Sequence, residues 1–235
     1  MNEKTNAWIQ VRELSRTFTN GEVETRALRG ITFEMVPGEF LAVTGPSGGG
    51  KSTLLHILGL RDRGTGGSVR LLDRELATLG NRERTLLRRK LGCIDQNAGL
   101  VGELSVYENV ELPLVFLGMK RKERRKRVEE LLDRLKLSHR LHHRPAQLSG
   151  GQQQRIAFAR AIASRPELLL ADEPTGNLDS ANRVLLMDLL SDFNRQGGSI
   201  VMVTHSAKDA SYAHRILHLN DGSLLSENQA QHLHP

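Results

Sequence analysis

The chain has 235 residues, with 33 Lys+Arg against 27 Asp+Glu and a formal net charge of +6. That length is ample for a hydrophobic core, and 26% charged residues with 38% hydrophobic residues excludes wholesale disorder. No apolar run approaches the ~18 residues a membrane-spanning helix requires, and a single cysteine, Cys93, excludes an intrachain disulfide framework.

The segment Met1–Asn6 is polar and lacks an apolar signal core, so a cytosolic location is the default expectation. The basic balance suits nucleic acid, an anionic membrane surface or a phosphate-rich ligand equally well. Aromatics, at 4%, argue against a stacking platform for single-stranded nucleic acid.

In chain order, Trp8 to Leu14 alternates and predicts a strand, and Gly21 marks a turn. Ala27 to Met35 predicts a second strand, and Pro37-Gly38-Glu39 a turn. Phe40 to Thr44 reads as a short buried strand. It runs into a glycine-rich loop and then an apolar helix from Lys51 to Leu60. From about Leu100 to Ser149 the pattern becomes helical. Val128, Leu131, Leu132 and Leu135 recur at helical spacing opposite charges over Glu123 to Leu137. Arg155 to Ala163 predicts a helix, Glu167 to Ala171 a strand, Asn182 to Arg195 a helix and Ser199 to Thr204 a strand. Ile216 to Leu219 and Ser223 to Ser226 predict a last strand pair around Asp221-Gly222, and the polar tail from Asn228 to Pro235 is expected to fray. Strands alternating with helices predict an α/β fold with a parallel sheet.

Gly45-Pro46-Ser47-Gly48-Gly49-Gly50-Lys51-Ser52-Thr53 fits the phosphate-binding pattern G-x-x-x-x-G-K-[ST]. Glycines let the backbone wrap a triphosphate with its N–H groups inward, and the helix start adds a positive dipole end. Lys51 has the reach for the β- and γ-phosphates, and the Ser52 hydroxyl is a Mg²⁺ ligand. A glycine-rich turn that happens to hold Lys-Ser is the bland alternative. The strand before and the helix after favour the phosphate loop.

Leu168-Leu169-Leu170-Ala171 ends in Asp172-Glu173. Ligands collect at the carboxyl ends of parallel strands. There Asp172 is expected to hold Mg²⁺ through water, and Glu173 to polarise an attacking water. His205 follows an apolar strand and stands out among nine histidines as a contact for the γ-phosphate. His139, His142, His143, His214, His218, His232 and His234 read as surface residues, Cys93 as a small buried hydrophobe and the methionines as core. Lys120 to Arg127 is the densest charge run. It reads first as a solvated helix start, with attraction to anionic headgroups as the functional alternative.

Leu148-Ser149-Gly150-Gly151-Gln152 precedes a helix and offers a hydroxyl and exposed backbone N–H groups, a second anion site on one chain. This run resembles the LSGGQ signature of the ATP-binding cassette (ABC) transporter ATPases, and the resemblance covers nearly the whole chain. It implies a P-loop NTPase of α/β class, with a RecA-like core, an antiparallel β subdomain and an α-helical subdomain. The expected boundaries are about 1–95 with 156–235 for the core and β subdomain, and about 96–155 for the helical subdomain. The resemblance implies that Phe18 stacks on adenine and that Gln96 is the Q-loop glutamine, which senses Mg²⁺ and faces the membrane subunit. It makes Asp172 the Walker B aspartate, Glu173 the catalytic glutamate, Asn177-Leu178-Asp179 the D-loop and His205 the switch histidine. Two cassettes are expected to sandwich two ATP molecules, each between the P-loop of one copy and the Ser149/Gly151 region of the other.

Thr175 to Ser180 and Glu108 to Leu114 resemble the lipoprotein-releasing and macrolide-exporting type (LolD-like, MacB-like). That implies ATP hydrolysis with Mg²⁺ at the cytoplasmic face of the inner membrane, energising export or extraction. The implied partners are a homodimer mate and a separate permease with four helices and a large extracytoplasmic domain, with no nucleic acid. A soluble relative acting on nucleic acid or ribosomes, or a cell-division ATPase, is the alternative. Departures from the family pattern are Asp95, where a phenylalanine is usual, Asn97-Ala98-Gly99, Arg61, Gly64, Gly66 and Gly49. Those near Gln96 fall where a membrane subunit docks and favour a specialised exporter.

Overall fold

The computed structural model describes residues 7–21 and 23–225. The elements run β1 (Ile9–Asn20), β2 (Val23–Met35), β3 (Phe40–Thr44), α1 (Lys51–Leu58), β4 (Gly66–Leu71), β5 (Arg74–Glu75), α2 (Asn81–Arg88) and β6 (Leu91–Ile94). They continue with α3 (Val106–Phe116), α4 (Arg121–Arg134), α5 (Gly150–Ala163), β7 (Leu168–Asp172), α6 (Ser180–Arg195), β8 (Ser199–Val203), α7 (Ala207–Ala210), β9 (Arg215–Asn220) and β10 (Ser223–Leu224). Among the described residues, no helix is long and apolar enough to cross a membrane. The tail and the end of the last expected strand lie outside the described residues.

The chain divides into two compact units, residues 1–85 with 199–235, and residues 86–198. In the first, β1 pairs antiparallel with both β2 and β4. Strand β1 extends past the expected end at Leu14, because register shifts at Val11/Leu14, Leu14/Arg16 and Arg16/Thr17 break the alternation while pairing continues. Strand β3 lies parallel between β8 and β9. Phe40, Leu41, Ala42 and Val43 are all buried, as are Ile200 to Val203 of β8. Strands covered on both faces read as unbroken apolar runs rather than alternation. Hairpin β9–β10 closes this sheet antiparallel.

In the second unit, β6 pairs parallel with β7. Helix α3 opens with a capping box in which Ser105 and Glu108 satisfy each other's backbone N–H groups. Asn109 is fully buried. Its side chain accepts from Val101 N and donates to the carbonyls of Val101, Leu104 and Ser105, so the segment before α3 is pinned by one amide. Val128, Leu131, Leu132 and Leu135 are buried, as the periodicity predicts. Each such side chain contributes roughly 1.5–3 kcal/mol by leaving water.

The basic run is only partly a solvated face. Arg124 pairs with Glu111 at 2.8 Å and donates to Met119 O. Arg127 is half-buried and donates to Ile162 O (3.0 Å) and Ala163 O (3.2 Å), closing the carbonyl end of α5. Desolvation, and then the neighbouring Arg165, hold its guanidinium below the ordinary arginine value. Lys120, Arg121 and Lys122 stay exposed. Other expectations need correction as well. His218 is half-buried with Nδ1 2.7 Å from Thr44 Oγ1, whereas His214 is exposed as expected while accepting a hydrogen bond from Phe40 N at 3.1 Å. Both tie β9 to β3. Cys93 is half-buried rather than fully buried, alone among the four residues of its strand. Of the methionines, Met35, Met187 and Met202 are core, while Met119 is only half-buried.

Candidate functional site

The first unit builds the candidate phosphate loop. Strand β3 delivers the chain to Gly45, whose φ is 144°. A Cβ there would lie 1.9 Å from Leu219 O, so only glycine fits. Gly50 ends the loop at φ 98°, and its Cβ would meet Ala27 O at 2.3 Å. It is the N-cap of α1 and offers no side chain to the helix. The first-turn N–H groups of α1 therefore have no capping side chain at this position, an anion-ready arrangement. Pro46, Ser47 and Gly48 are exposed, Gly49 is buried, Ser52 is exposed and Thr53 half-buried. A Cβ on Gly49 would lie 3.0 Å from Leu219 O, tight for the serine frequent in the family.

Lys51 is only 5% exposed. Its ammonium donates to Gly45 O at 2.9 Å and Pro46 O at 2.8 Å. The loop thus holds its cation against its own carbonyls. His205, just beyond β8, places Nδ1 3.0 Å from Gly45 O. A carbonyl only accepts, so this contact puts the proton on Nδ1. The structure brings His205, Lys51 and Gly45 together around one carbonyl. Phe18 is 41% exposed, and the guanidinium of Arg16 lies 4.2 Å from its ring centroid. Arg16 also pairs with Asp62 at 2.9 Å. The sequence reading missed Arg16, although a cation two residues from an exposed aromatic on a strand was a usable signal.

The second unit carries the acidic and signature residues. Strand β7 ends at Asp172, which is half-buried. Glu173 follows at φ 45°, a left-handed backbone that costs a non-glycine residue about 1–3 kcal/mol. Pro174 and Thr175 are buried beneath it, and a turn closes with Gly176 N to Glu173 O and Leu178 N to Thr175 O, both 3.0 Å. Gln96 is exposed. A Cβ on Gly176 would come within 3.2 Å of Gln96 Nε2, so these segments meet closely.

Ser149 caps α5. Its Oγ accepts from Gln152 N at 3.3 Å, and Gln152 Oε1 accepts from Ser149 N at 3.1 Å. Helix α5 therefore begins at Gly150, earlier than the expected Arg155, because the capping box offsets the low helix propensity of the glycines. Leu148 is buried and Gly150 is exposed. Asp179 caps α6, accepting from Asn182 N (2.8 Å) and Asn182 Nδ2 (2.7 Å). Those two bonds hold its carboxyl below the usual carboxylate range. Asn182 was missed by the sequence reading, yet a Cβ on Gly151 would lie 2.3 Å from its side chain. Asn182 thus joins Asp179 to the signature glycine, a contact no local pattern announces.

The whole set matches known proteins. Residues 28–176 match the family described as ABC transporter. An ABC transporter ATP-binding protein of Thermotoga maritima is 44% identical over 217 residues, covering 92% of this chain and 93% of that one. A macrolide export ATP-binding/permease protein (MacB) of an Azoarcus species is 44% identical over 220 residues. The match covers 93% of this chain but 34% of that relative, so this chain spans about a third of its length. The dimeric structure of the ATP-binding cassette MJ0796 in a post-hydrolysis state bound to ADP and Pi superposes with TM-score 0.87 at 40% identity, covering 93% of this chain and 97% of that one. The chain belongs to the ABC transporter family, as an ATP-binding cassette ATPase.

Proposed function

We propose that this cassette powers export or extraction of a substrate through a separate membrane permease, working as a homodimer at the cytoplasmic face of the membrane. The observation that carries this reading is the preformed phosphate loop, with glycines locked at Gly45 and Gly50 and Lys51 held at its mouth. In this reading the chain is one cassette, with a core near 1–95 and 156–235 and a helical subdomain near 96–155. The likeness to macrolide-export ATPases supports the exporter assignment. The dimeric state described for the MJ0796 cassette supports pairing of two copies.

ATP would lie with its triphosphate in Gly45–Thr53 and adenine against Phe18, whose ring Arg16 already braces. Lys51 would exchange the carbonyls of Gly45 and Pro46 for phosphate oxygens. Ser149, Gly150, Gly151 and Gln152 of the second copy, flanked by Leu148, would close over the same nucleotide. Asn177, Leu178 and Asp179 would line the junction between copies.

The residues fit magnesium. Ser52, Gln96 and, through water, Asp172 offer only hard oxygen ligands. Among the described residues no group of three or more His, Cys, Asp or Glu side chains forms a protein-only metal cage. A Mg²⁺ held mostly by phosphates suits that donor set. The ion would neutralise charge on the phosphates. Glu173 would accept a proton from the attacking water at its carboxylate. His205, anchored to Gly45 O through Nδ1, would contact the γ-phosphate and orient the attacking water.

The test is Glu173→Gln in the full chain. ATP binding should persist, dimers should accumulate with ATP in light scattering, and hydrolysis should fall by about 10²–10⁴-fold, the usual loss with a general base. Turnover near that of the parent protein would overturn the assignment.

A further inference from the structure

The loop 95–99 carries Gln96 between residues that depart from the family pattern. Ala98 and Gly99 sit at φ 58° and 56°. Helix α5 holds both ends of the loop. Gln154 Nε2 donates to Asp95 O at 3.1 Å, and Arg160 donates to Gly99 O at 2.7 Å and Ala98 O at 3.0 Å. The middle of the loop meets the turn after β7. Gln96 packs against Gly176, and Asn177 Nδ2 donates to Asn97 Oδ1 at 3.0 Å.

That turn begins at Glu173 and ends at Asp179, and its own backbone bonds close it. Asn177 lies within that turn, between Gly176 and Leu178 of the two bonded pairs Glu173–Gly176 and Thr175–Leu178. Asn97 and Asn177 are both exposed. A bond between exposed amides adds little to folding stability, because water competes for both groups. Its effect falls on where the turn sits.

We propose that Asn97 is a positioning residue. Its bond to Asn177 ties the loop of Gln96 to the turn of Glu173, so that Glu173 takes its working position only when that loop is in place. The proposal rests on the reading of Glu173 as the base for water.

The direction of the bond supplies the test, made on the full chain by steady-state ATP hydrolysis with ATP affinity measured separately by calorimetry. Asn97→Ala and Asn177→Ala should each lower kcat about three- to tenfold, the scale of one net hydrogen bond. ATP affinity and the thermal midpoint should stay unchanged. The double variant should be no slower than the slower single, since one bond is lost only once. Asn97→Asp keeps the acceptor and should retain kcat, whereas Asn177→Asp removes the donor and should behave as Asn177→Ala. Parental kcat in Asn97→Ala, or losses that add in the double variant, would overturn the link. An inactive Glu173→Gln beside a fully active Asn97→Ala removes the link alone. A fully active Glu173→Gln removes the reading beneath it.

Discussion

Two glycines of the first unit's glycine-rich loop and two of the second unit's motif segments stand against different things. In the first, Gly45 and Gly50 lie at left-handed φ with backbone carbonyls 1.9 and 2.3 Å from where a Cβ would stand. In the second, Gly151 and Gly176 face side chains, Asn182 at 2.3 Å and Gln96 at 3.2 Å. A carbonyl embedded in a sheet cannot step aside, but a side-chain amide can rotate. The glycine-rich loop is thus of fixed shape, as the proposed phosphate cradle would need. The signature and Gln96 segments are held by side-chain contacts that can be remade. A rigid half suits tight grip on a constant triphosphate. An adjustable half suits the opening and closing proposed for the cycle.

This contrast is breakable, and the largest effect should come from the cradle. Gly50→Ala or Gly45→Ala should weaken ATP binding by about 100-fold or more, since backbone strain and a carbonyl clash combine. Calorimetry with ATP checks this, and a parental affinity would mean that the loop is not fixed. Gly151→Ala should cost far less in thermal stability than Gly50→Ala, and Asn182→Ala in the same chain should restore most of the loss. If the second change gives no relief, the side chain of Asn182 is not the obstacle.

The basic run sharpens the same contrast inside the second unit. Arg127→Met removes the donor to Ile162 O and Ala163 O and should cost about 1–3 kcal/mol in denaturant unfolding. Lys122→Met, on an exposed cation, should stay within about 0.5 kcal/mol of the parent. The smallest effect is in acid. The capping bonds of Ser105 to Glu108, and of Asn182 to Asp179, hold these carboxyls below the ordinary values of 4.5 and 3.8. A depressed carboxyl stabilises the folded state above its unfolded pKa, and that contribution fades as pH falls through the lower folded value. The midpoint of thermal unfolding should therefore drop below about pH 4. Glu108→Gln with Asp179→Asn should flatten that drop, and an unchanged slope would place the acid sensitivity elsewhere.

Much of this arrangement was legible before the structure. β3 and β7 are short apolar runs bounded by turn or acidic residues, and both lie within one residue of their expected limits. The phosphate loop is a local motif whose chemistry follows from glycine, lysine and a helix start. Strands β4 and β5 were not read, because Gly66-Gly67 and a two-residue strand leave no periodicity to see. Helix α2, with one buried leucine and one exposed, and α3, with a buried Asn109 and an internal Pro113, also carry weak patterns. His214 lies at the surface as expected, but the surface reading of His218 failed because its partner, Thr44, lies far away in the chain.

The sequence by itself determined the chemistry proposed for each half-site. A phosphate cradle, a strand-terminal carboxylate pair and a capped signature helix all arise within about a dozen neighbouring residues, where backbone geometry and residue type suffice. Only the tertiary structure decided which groups secure them. Leu219 closes on Gly45, His205 fixes its proton there, Asn182 joins Asp179 to Gly151, and Asn177 binds Asn97. Each of these contacts, the Asn182–Asp179 bond apart, spans a long stretch of chain. Its existence depends on strand order and helix packing, which local propensity does not encode.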